Sequence, residues 1–297
     1  MLCALAQEKL AIFLCELQQA NELNRLLQIR FTRSFLWLLG HPFPVDSNNY
    51  IIEGMFLKIF VVLACIAVSL ADALNNSPIV GIFTQPTDST EGDCGGDCLY
   101  LAASYVKYIE SSGARVVPIN FHATEAELDK LLPSLNGVFF PGGDAEFPPA
   151  AQYTFDKVKQ MNDAGEHFPL WGTCMGFEWL LMSATRDSTI LDPKNGQMDA
   201  YNLSIPLDFT ATYKNSALFK NAPSFITNVL AKQNVTMNNH HYGIWTEHFF
   251  QTPVLTDFFH VLSNNKDRNG DEFVSMIEAH KYPIFGSQWH PEKNNFE

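Results

Sequence analysis

Cys174 sits at the centre of Gly172-Thr173-Cys174-Met175-Gly176, a nucleophilic side chain framed by two glycines. Phe168-Pro169-Leu170-Trp171 precedes it and reads as a buried strand, and Phe177-Glu178-Trp179-Leu180-Leu181-Met182 follows as the start of an apolar helix. A strand that turns at once into a helix with such a residue at the apex is a nucleophile elbow. The glycines admit a turn that β-carbons would obstruct. The helix start aims unsatisfied N–H groups at the sulfur, which favours a thiolate there. A cysteine in an apolar stretch is otherwise most often a buried structural residue, and the frame argues against that here.

A thiol nucleophile needs a base within hydrogen-bond reach, and the base needs a third group to set its tautomer. Tyr282-Pro283-Ile284-Phe285-Gly286-Ser287-Gln288-Trp289-His290-Pro291-Glu292 reads as a strand that delivers His290 at its tip, with Glu292 two residues on to orient it. Any one of the nine histidines alone has a weak claim to catalysis; the His-Pro-Glu sequence after an apolar strand singles this one out. Leu135-Asn136-Gly137-Val138-Phe139-Phe140-Pro141-Gly142-Gly143-Asp144 is another strand running into a Gly-Gly turn. The N–H groups of Gly143 and Met175 are the expected oxyanion hole.

The elements that must position these groups alternate. Strands are expected at Ile79–Thr84, Arg115–Ile119, Val138–Phe140 and Phe168–Trp171, and helices at Leu99–Ser112, Glu125–Leu132, Tyr153–Ala164 and Met175–Ala184. That pattern implies an α/β fold with a doubly wound, mostly parallel sheet, whose active site lies beyond the carboxyl ends of the strands. Further on, Met198–Leu207 and Phe273–His280 read as strands, and the Asn-rich stretches Asn234–Asn239 and Asn264–Gly270 as loops. Asp267-Arg268-Asn269-Gly270-Asp271 lacks the spacing and distal Glu of a calcium loop and reads as a hairpin turn.

Several segments together resemble the class I glutamine-amidotransferase-like superfamily, and within it the γ-glutamyl hydrolases that act on folate polyglutamates. They are Pro78-Ile79-Val80-Gly81-Ile82, Ala102-Ala103-Ser104-Tyr105-Val106-Lys107-Tyr108, Gly113-Ala114-Arg115-Val116-Val117-Pro118, Phe139-Phe140-Pro141-Gly142-Gly143, Trp171-Gly172-Thr173-Cys174-Met175-Gly176-Phe177-Glu178 and Gln288-Trp289-His290-Pro291-Glu292-Lys293. The resemblance runs from about Pro78 to Glu297. It implies a flavodoxin-like fold with Cys174 as nucleophile, His290 as general acid–base and Glu292 as its supporting carboxylate. It also implies a substrate-side histidine at His240, with His241 as the alternative register. The implied partner is a folyl-poly-γ-glutamate, with no cofactor, no metal and no nucleic acid; a homodimer is left open. In this family a further helix follows the His-Pro-Glu motif, whereas the sequence stops at Glu297, so an incomplete sequence is expected.

Composition is that of a globular protein, 46% hydrophobic and 17% charged. The net charge of −13 excludes a nucleic-acid surface, which needs a basic patch. From Leu74 on, 26 acidic residues face 14 basic ones, a net −12. A polyanionic substrate then demands either a local cationic pocket or an acidic compartment.

Residues 55–73 carry the basic start, apolar core and small-x-small end of a signal peptide: Met55-Phe56-Leu57-Lys58, Ile59 to Leu70, then Ala71-Asp72-Ala73. The core is short of the roughly 20 apolar residues of a membrane span, so no stable membrane anchor is expected. Residues 1–54 match nothing in the family, and a mistaken upstream start is favoured over a true leader; 74–297 is the catalytic domain. After cleavage three cysteines remain, Cys94, Cys98 and Cys174. In an oxidising compartment the first two are a candidate disulfide, leaving Cys174 free. Two cysteines without nearby histidines fall short of a zinc site. Asn202-Leu203-Ser204 and Asn234-Val235-Thr236 are glycosylation sequons in a secreted or lysosomal chain.

The leading expectation is therefore a cysteine hydrolase of γ-glutamyl bonds. The alternatives are a glutaminase module serving a synthetase, against which the signal peptide argues, and a binding protein with a vestigial site.

Overall fold

The computed structural model describes residues 77–87, 98–192 and 197–297. The readings on 1–54, on the signal-like 55–73 and on Cys94 lie outside the described residues. In chain order the elements are β1 (Ile79–Phe83), α1 (Ala103–Glu110), β2 (Arg115–Ile119), α2 (Glu125–Leu131), β3 (Gly137–Phe140), α3 (Pro149–Asp163), β4 (Leu170–Thr173) and α4 (Met175–Thr185). After these come β5 (Ala200–Ile205), β6 (Asp208–Phe209), α5 (Ser224–Lys232), β7 (Thr236–His240), α6 (Thr246–Gln251) and α7 (Pro253–Phe258). The last are β8 (Phe259–Lys266), β9 (Glu272–Ala279), β10 (Ile284–Ser287) and α8 (Lys293–Phe296).

Eight strands make one sheet in the order β2-β1-β3-β4-β10-β9-β8-β6. The first five are parallel, and β9, β8 and β6 extend the sheet by antiparallel pairing. The parallel part has the 2-1-3-4-5 order of a flavodoxin-like sheet. Strands covered on both faces are apolar throughout, and β3, β4 and β10 are buried at every position. Successive side chains take opposite faces. Val138, Phe140 and Leu170 join the core built with α3, α4 and α7, whereas Phe139 packs its ring against Tyr105 of α1. Trp171 lies on that second face with Tyr108 of α1 and Ile226 and Leu230 of α5.

Local signals account for the helix starts. Thr124 accepts from the N–H of Glu127 while the Glu127 carboxylate accepts from the N–H of Thr124, a reciprocal cap for α2. α3 begins at Pro149, four residues before the expected Tyr153, because a proline at the first helical position loses no helical hydrogen bond. Leu99–Tyr100 is not the start of α1 but pairs antiparallel with Gln85–Pro86.

Two expected loops are strands. β7 spans most of the Asn-rich 234–239 stretch and pairs with β5 as a separate ribbon, and Asn264, Asn265 and Lys266 belong to β8. Asparagine is a poor strand former, but here the polar side chains find partners. The Asn238 amide donates to the carbonyls of Leu203 and Thr236, and that of Asn265 to the carbonyl of Pro206. The Asp267–Asp271 turn does join a hairpin, β8 to β9, with Asp267 accepting from the N–H groups of Asn269 and Asp271. Among the described residues no helix is long and apolar enough to cross a membrane.

At the elbow the glycines pack directly on backbone. A β-carbon on Gly176 would lie 2.0 Å from the Phe140 carbonyl oxygen, and one on Gly172 2.4 Å from the Gly176 oxygen. These are backbone atoms that cannot move aside. Gly165, by contrast, has a φ of +92° but open space around it. Gly176→Ala should therefore cost about 3 kcal/mol or more by overpacking, and Gly165→Ala only about 1 kcal/mol through its left-handed backbone. Urea denaturation of both variants checks the order.

Candidate active site

Cys174 terminates β4 with φ 52° and ψ −110°, a left-handed backbone on a residue with a side chain, and caps the N-terminus of α4. Its N–H donates to the Ser287 carbonyl across 2.8 Å, tying the tip of β4 to the tip of β10. Three residues after β10 comes His290, whose N–H donates to the Met237 carbonyl of the ribbon strand β7 at 2.7 Å. The two reactive side chains are thus carried by adjacent parallel strands and locked by backbone bonds.

His290 is buried, and its Nδ1 lies 2.7 Å from Glu292 Oε1. A carboxylate only accepts, so Nδ1 carries the proton and the far nitrogen is left for the Cys174 sulfur, with which the ring is hydrogen-bonded. Burial alone would push the imidazole pKa down. The charges of Cys174 and Glu292, with hydrogen bonds to both, overcome it and raise the pKa to about 10. Glu292 is wholly buried, and its Oε2 has no partner among the described residues.

Gly142 lies between the reacting groups: a β-carbon there would fall 2.7 Å from His290 Cε1, 3.1 Å from Cys174 Cβ and 2.4 Å from the Tyr105 hydroxyl. The Tyr105 oxygen accepts from the Gly142 N–H at 2.8 Å and is 3.3 Å from His290 Nδ1. Burial, with the nearby Glu292 charge, raises the phenol well above its ordinary pKa, so it stays protonated. Met175 is the first residue of α4, where a backbone N–H has no helical acceptor.

The structure brings Cys174, His290, Glu292, Met175 and the Gly142-Gly143 turn together. His240 is buried at the end of the ribbon, its Nδ1 donating to the Tyr242 carbonyl at 2.8 Å and its Nε2 3.2 Å from the Asn238 amide. Burial is the main reason its pKa falls to about 3, which leaves it neutral. His241 stacks on Tyr201 with the rings 4° from parallel. Asn202 and Asn234 are both exposed, Asn202 with a φ of 50° at an irregularity in the ribbon. Cys98 is disulfide-bonded and Cys174 is free. No group of three metal-ligating side chains occurs among the described residues.

Sequence reasoning passed over four residues. Gln85 donates from Nε2 to the Gly142 carbonyl at 2.6 Å, and Tyr105 contacts the same glycine from the other side. Glu178 is one helical turn beyond Cys174, a spacing that was visible, and accepts from Gln288 Nε2 at 3.0 Å. Burial of this carboxyl, reinforced by Asp144, raises its pKa to about 7 against the pull of the Gln288 hydrogen bond and the His290 charge. Gln288 lies two residues before His290 in the same run of sequence.

An elbow-borne thiol on a flavodoxin-like sheet, with its histidine on the neighbouring strand, defines a class I glutamine amidotransferase domain. The family model described as Glutamine amidotransferase class-I matches residues 93–296. The chain is 41% identical over 246 residues to gamma-glutamyl hydrolase B of Dictyostelium discoideum, covering 80% of this chain and 70% of that protein. It is 39% identical to the gamma-glutamyl hydrolase of Mus musculus, covering 74% and 68%, and 35% identical to that of Homo sapiens, covering 82% and 78%. The chain belongs to the gamma-glutamyl hydrolase family.

Glu178 gives a pH signature. Its folded pKa of about 7 lies above the ordinary 4.5, so its contribution to stability is fully present below about pH 4.5 and is lost as pH rises through about 7. His290, raised to about 10 from 6.5, loses its contribution in a later window, as pH rises from about 6.5 through 10. Thermal unfolding across pH 4.5–7.5 should show the wild type losing stability relative to Glu178→Gln. Parallel curves would show that Glu178 does not titrate in that interval.

Proposed function

We propose that this protein is a cysteine-dependent γ-glutamyl hydrolase whose substrate is a folyl-poly-γ-glutamate. The observation that carries the reading is the buried Cys174–His290–Glu292 array at the end of β4 and β10, with the helix start at Met175 and the Gly142-Gly143 turn beside it. The names of the relatives give the bond class.

The Cys174 sulfur attacks the carbonyl carbon of the γ-amide, and the carbonyl oxygen becomes an oxyanion between the N–H groups of Met175 and Gly143. One such donor is worth roughly 3–4 kcal/mol. A base with a pKa of about 10 carries its proton at neutral pH, and His290 is thus charged and ready to protonate the departing amine. Collapse breaks the C–N bond and leaves a γ-glutamyl thioester. The now neutral His290 takes a proton from water, whose oxygen attacks the thioester, and the thiolate leaves. Glu292 accepts from Nδ1 and holds the imidazole in place. The neutral form of Glu178 spares an anionic polyglutamate chain one like charge in an acidic compartment.

Secretion or delivery to the lysosome is part of the same proposal. It is supported by the signal-like 55–73 segment, by the bonded state of Cys98, and by the exposure of Asn202 and Asn234. The N-terminus of protein recovered from the medium or from lysosomes should begin near Leu74. A mass decrease on glycosidase treatment should vanish when Asn202 and Asn234 are both changed to Gln. Peptides from residues 1–54 in the recovered protein would contradict this.

On a folate polyglutamate, Cys174→Ala should abolish turnover while leaving the circular dichroism spectrum unchanged. His290→Ala should lose about 10²–10⁴-fold in kcat/KM, and Glu292→Ala less, because it only orients and charges the ring. Free glutamine as the better substrate of the wild type would move the assignment to a glutaminase. If His290→Ala stayed active while His240→Ala lost nearly all turnover, the base would lie in the ribbon.

A further inference from the structure

Gly142 and Gly143 carry no side chain, and a Gly-Gly turn has more backbone freedom than any other, yet an oxyanion donor works only if it is already aimed. Something outside the turn must fix it. Gly142 is held on both sides by buried side chains from remote parts of the chain. Its carbonyl, in the peptide that links the two glycines, accepts from Gln85 Nε2 at 2.6 Å, and its N–H, in the preceding Pro141–Gly142 peptide, donates to the Tyr105 hydroxyl at 2.8 Å. Gln85 is 2% exposed and Tyr105 3%. The fit is close enough that a β-carbon on Gly143 would lie 1.6 Å from Gln85 Oε1.

In a trans peptide the C=O and the following N–H point in opposite directions. Pinning the Gly142 carbonyl toward Gln85 therefore turns the Gly143 N–H away from Gln85. The Gly143 N–H makes no hydrogen bond to another described residue, so it is free for a ligand. Tyr105 holds the preceding Pro141–Gly142 peptide through the Gly142 N–H, and because it also lies 3.3 Å from His290 Nδ1, the turn and the base share one anchor.

We propose that Gln85 is a positioning residue for the oxyanion hole: it locks the Gly142–Gly143 peptide with its N–H toward the developing oxyanion, while Tyr105 fixes the peptide before it. The proposal rests on the hydrolase reading only in that both need acyl transfer at Cys174. Gln85 does not touch the sulfur or the imidazole, so its loss should damage the acyl-transfer step and spare the nucleophile.

The test separates the two. Gln85→Met keeps the shape and removes the donor. On a γ-glutamyl substrate it should lower kcat by about 10–100-fold, the scale of a misplaced catalytic group, with KM little changed. The rate and pH dependence of Cys174 alkylation by iodoacetamide, which forms no oxyanion, should remain those of the wild type. Tyr105→Phe should also lower kcat, and the double variant should lose less than the product of the single losses, since both hold the one residue Gly142. Unchanged kcat in Gln85→Met would overturn the proposal, and so would an equal fall in alkylation, which would place the effect on the Cys–His pair or on folding. If the wild type failed to cleave γ-glutamyl bonds, the hydrolase reading would fall. The same comparison on a small activated ester, which also acylates Cys174, would still decide the role of Gln85.

Discussion

The left-handed backbone of Cys174 is the constraint on which the site depends. Such a conformation on a residue with a β-carbon costs of order 1–3 kcal/mol and persists only where the surroundings over-determine it. Here they do. The Cys174 N–H is bonded to Ser287 of the adjacent strand, and the two flanking glycines pack directly on backbone atoms. Relaxing the turn would push β4 and α4 apart at their tightest contact. The sulfur is held proud of the sheet because the rest of the sheet leaves it no alternative.

That placement makes the electrostatics work. A histidine buried among aromatic and apolar groups would ordinarily lose its proton. Two negative partners at hydrogen-bond distance reverse the outcome and carry the pKa to about 10. A buried ionic array adds little net stability, but loss of one member leaves a buried charge without its partner. Glu292, wholly enclosed with one oxygen on the ring, is therefore as much a condition of the charged histidine as a catalytic aid. Glu178 lies on the other side of the balance: with only an amide to hold it, burial raises its pKa to about 7 and keeps it neutral below that pH.

The sheet and the clamp on the Gly-Gly turn serve one end. β4, β10 and the β3 turn deliver the nucleophile, the base and the oxyanion donor to the same edge, because parallel strands in a doubly wound sheet all finish on one side. The ribbon of β5 and β7 adds a fourth wall, joined to the base through the Met237–His290 backbone bond. The nucleophile and the base are fixed by main-chain bonding, and the oxyanion turn by the side chains of Gln85 and Tyr105.

The sequence by itself determined the parts whose signals are local. Gly-x-Cys-x-Gly between an apolar strand and an apolar helix, and His-Pro-Glu after another strand, mark the elbow and the base because turn, period and reactive residue fall within a dozen positions. The βα alternation through α4 was legible for the same reason. Tertiary structure decided what depends on remote partners. The Asn-rich segment became a strand because Leu203, 35 residues away, accepts from Asn238. Gln85 and Tyr105 carry no motif that marks them, since their partners lie 57 and 37 residues along the chain, and 185 for the contact of Tyr105 with His290. Proton affinities were likewise beyond any local pattern: His240 and His290 are the same residue type, and only burial without a charged partner in one, and with two in the other, sends their pKa values in opposite directions.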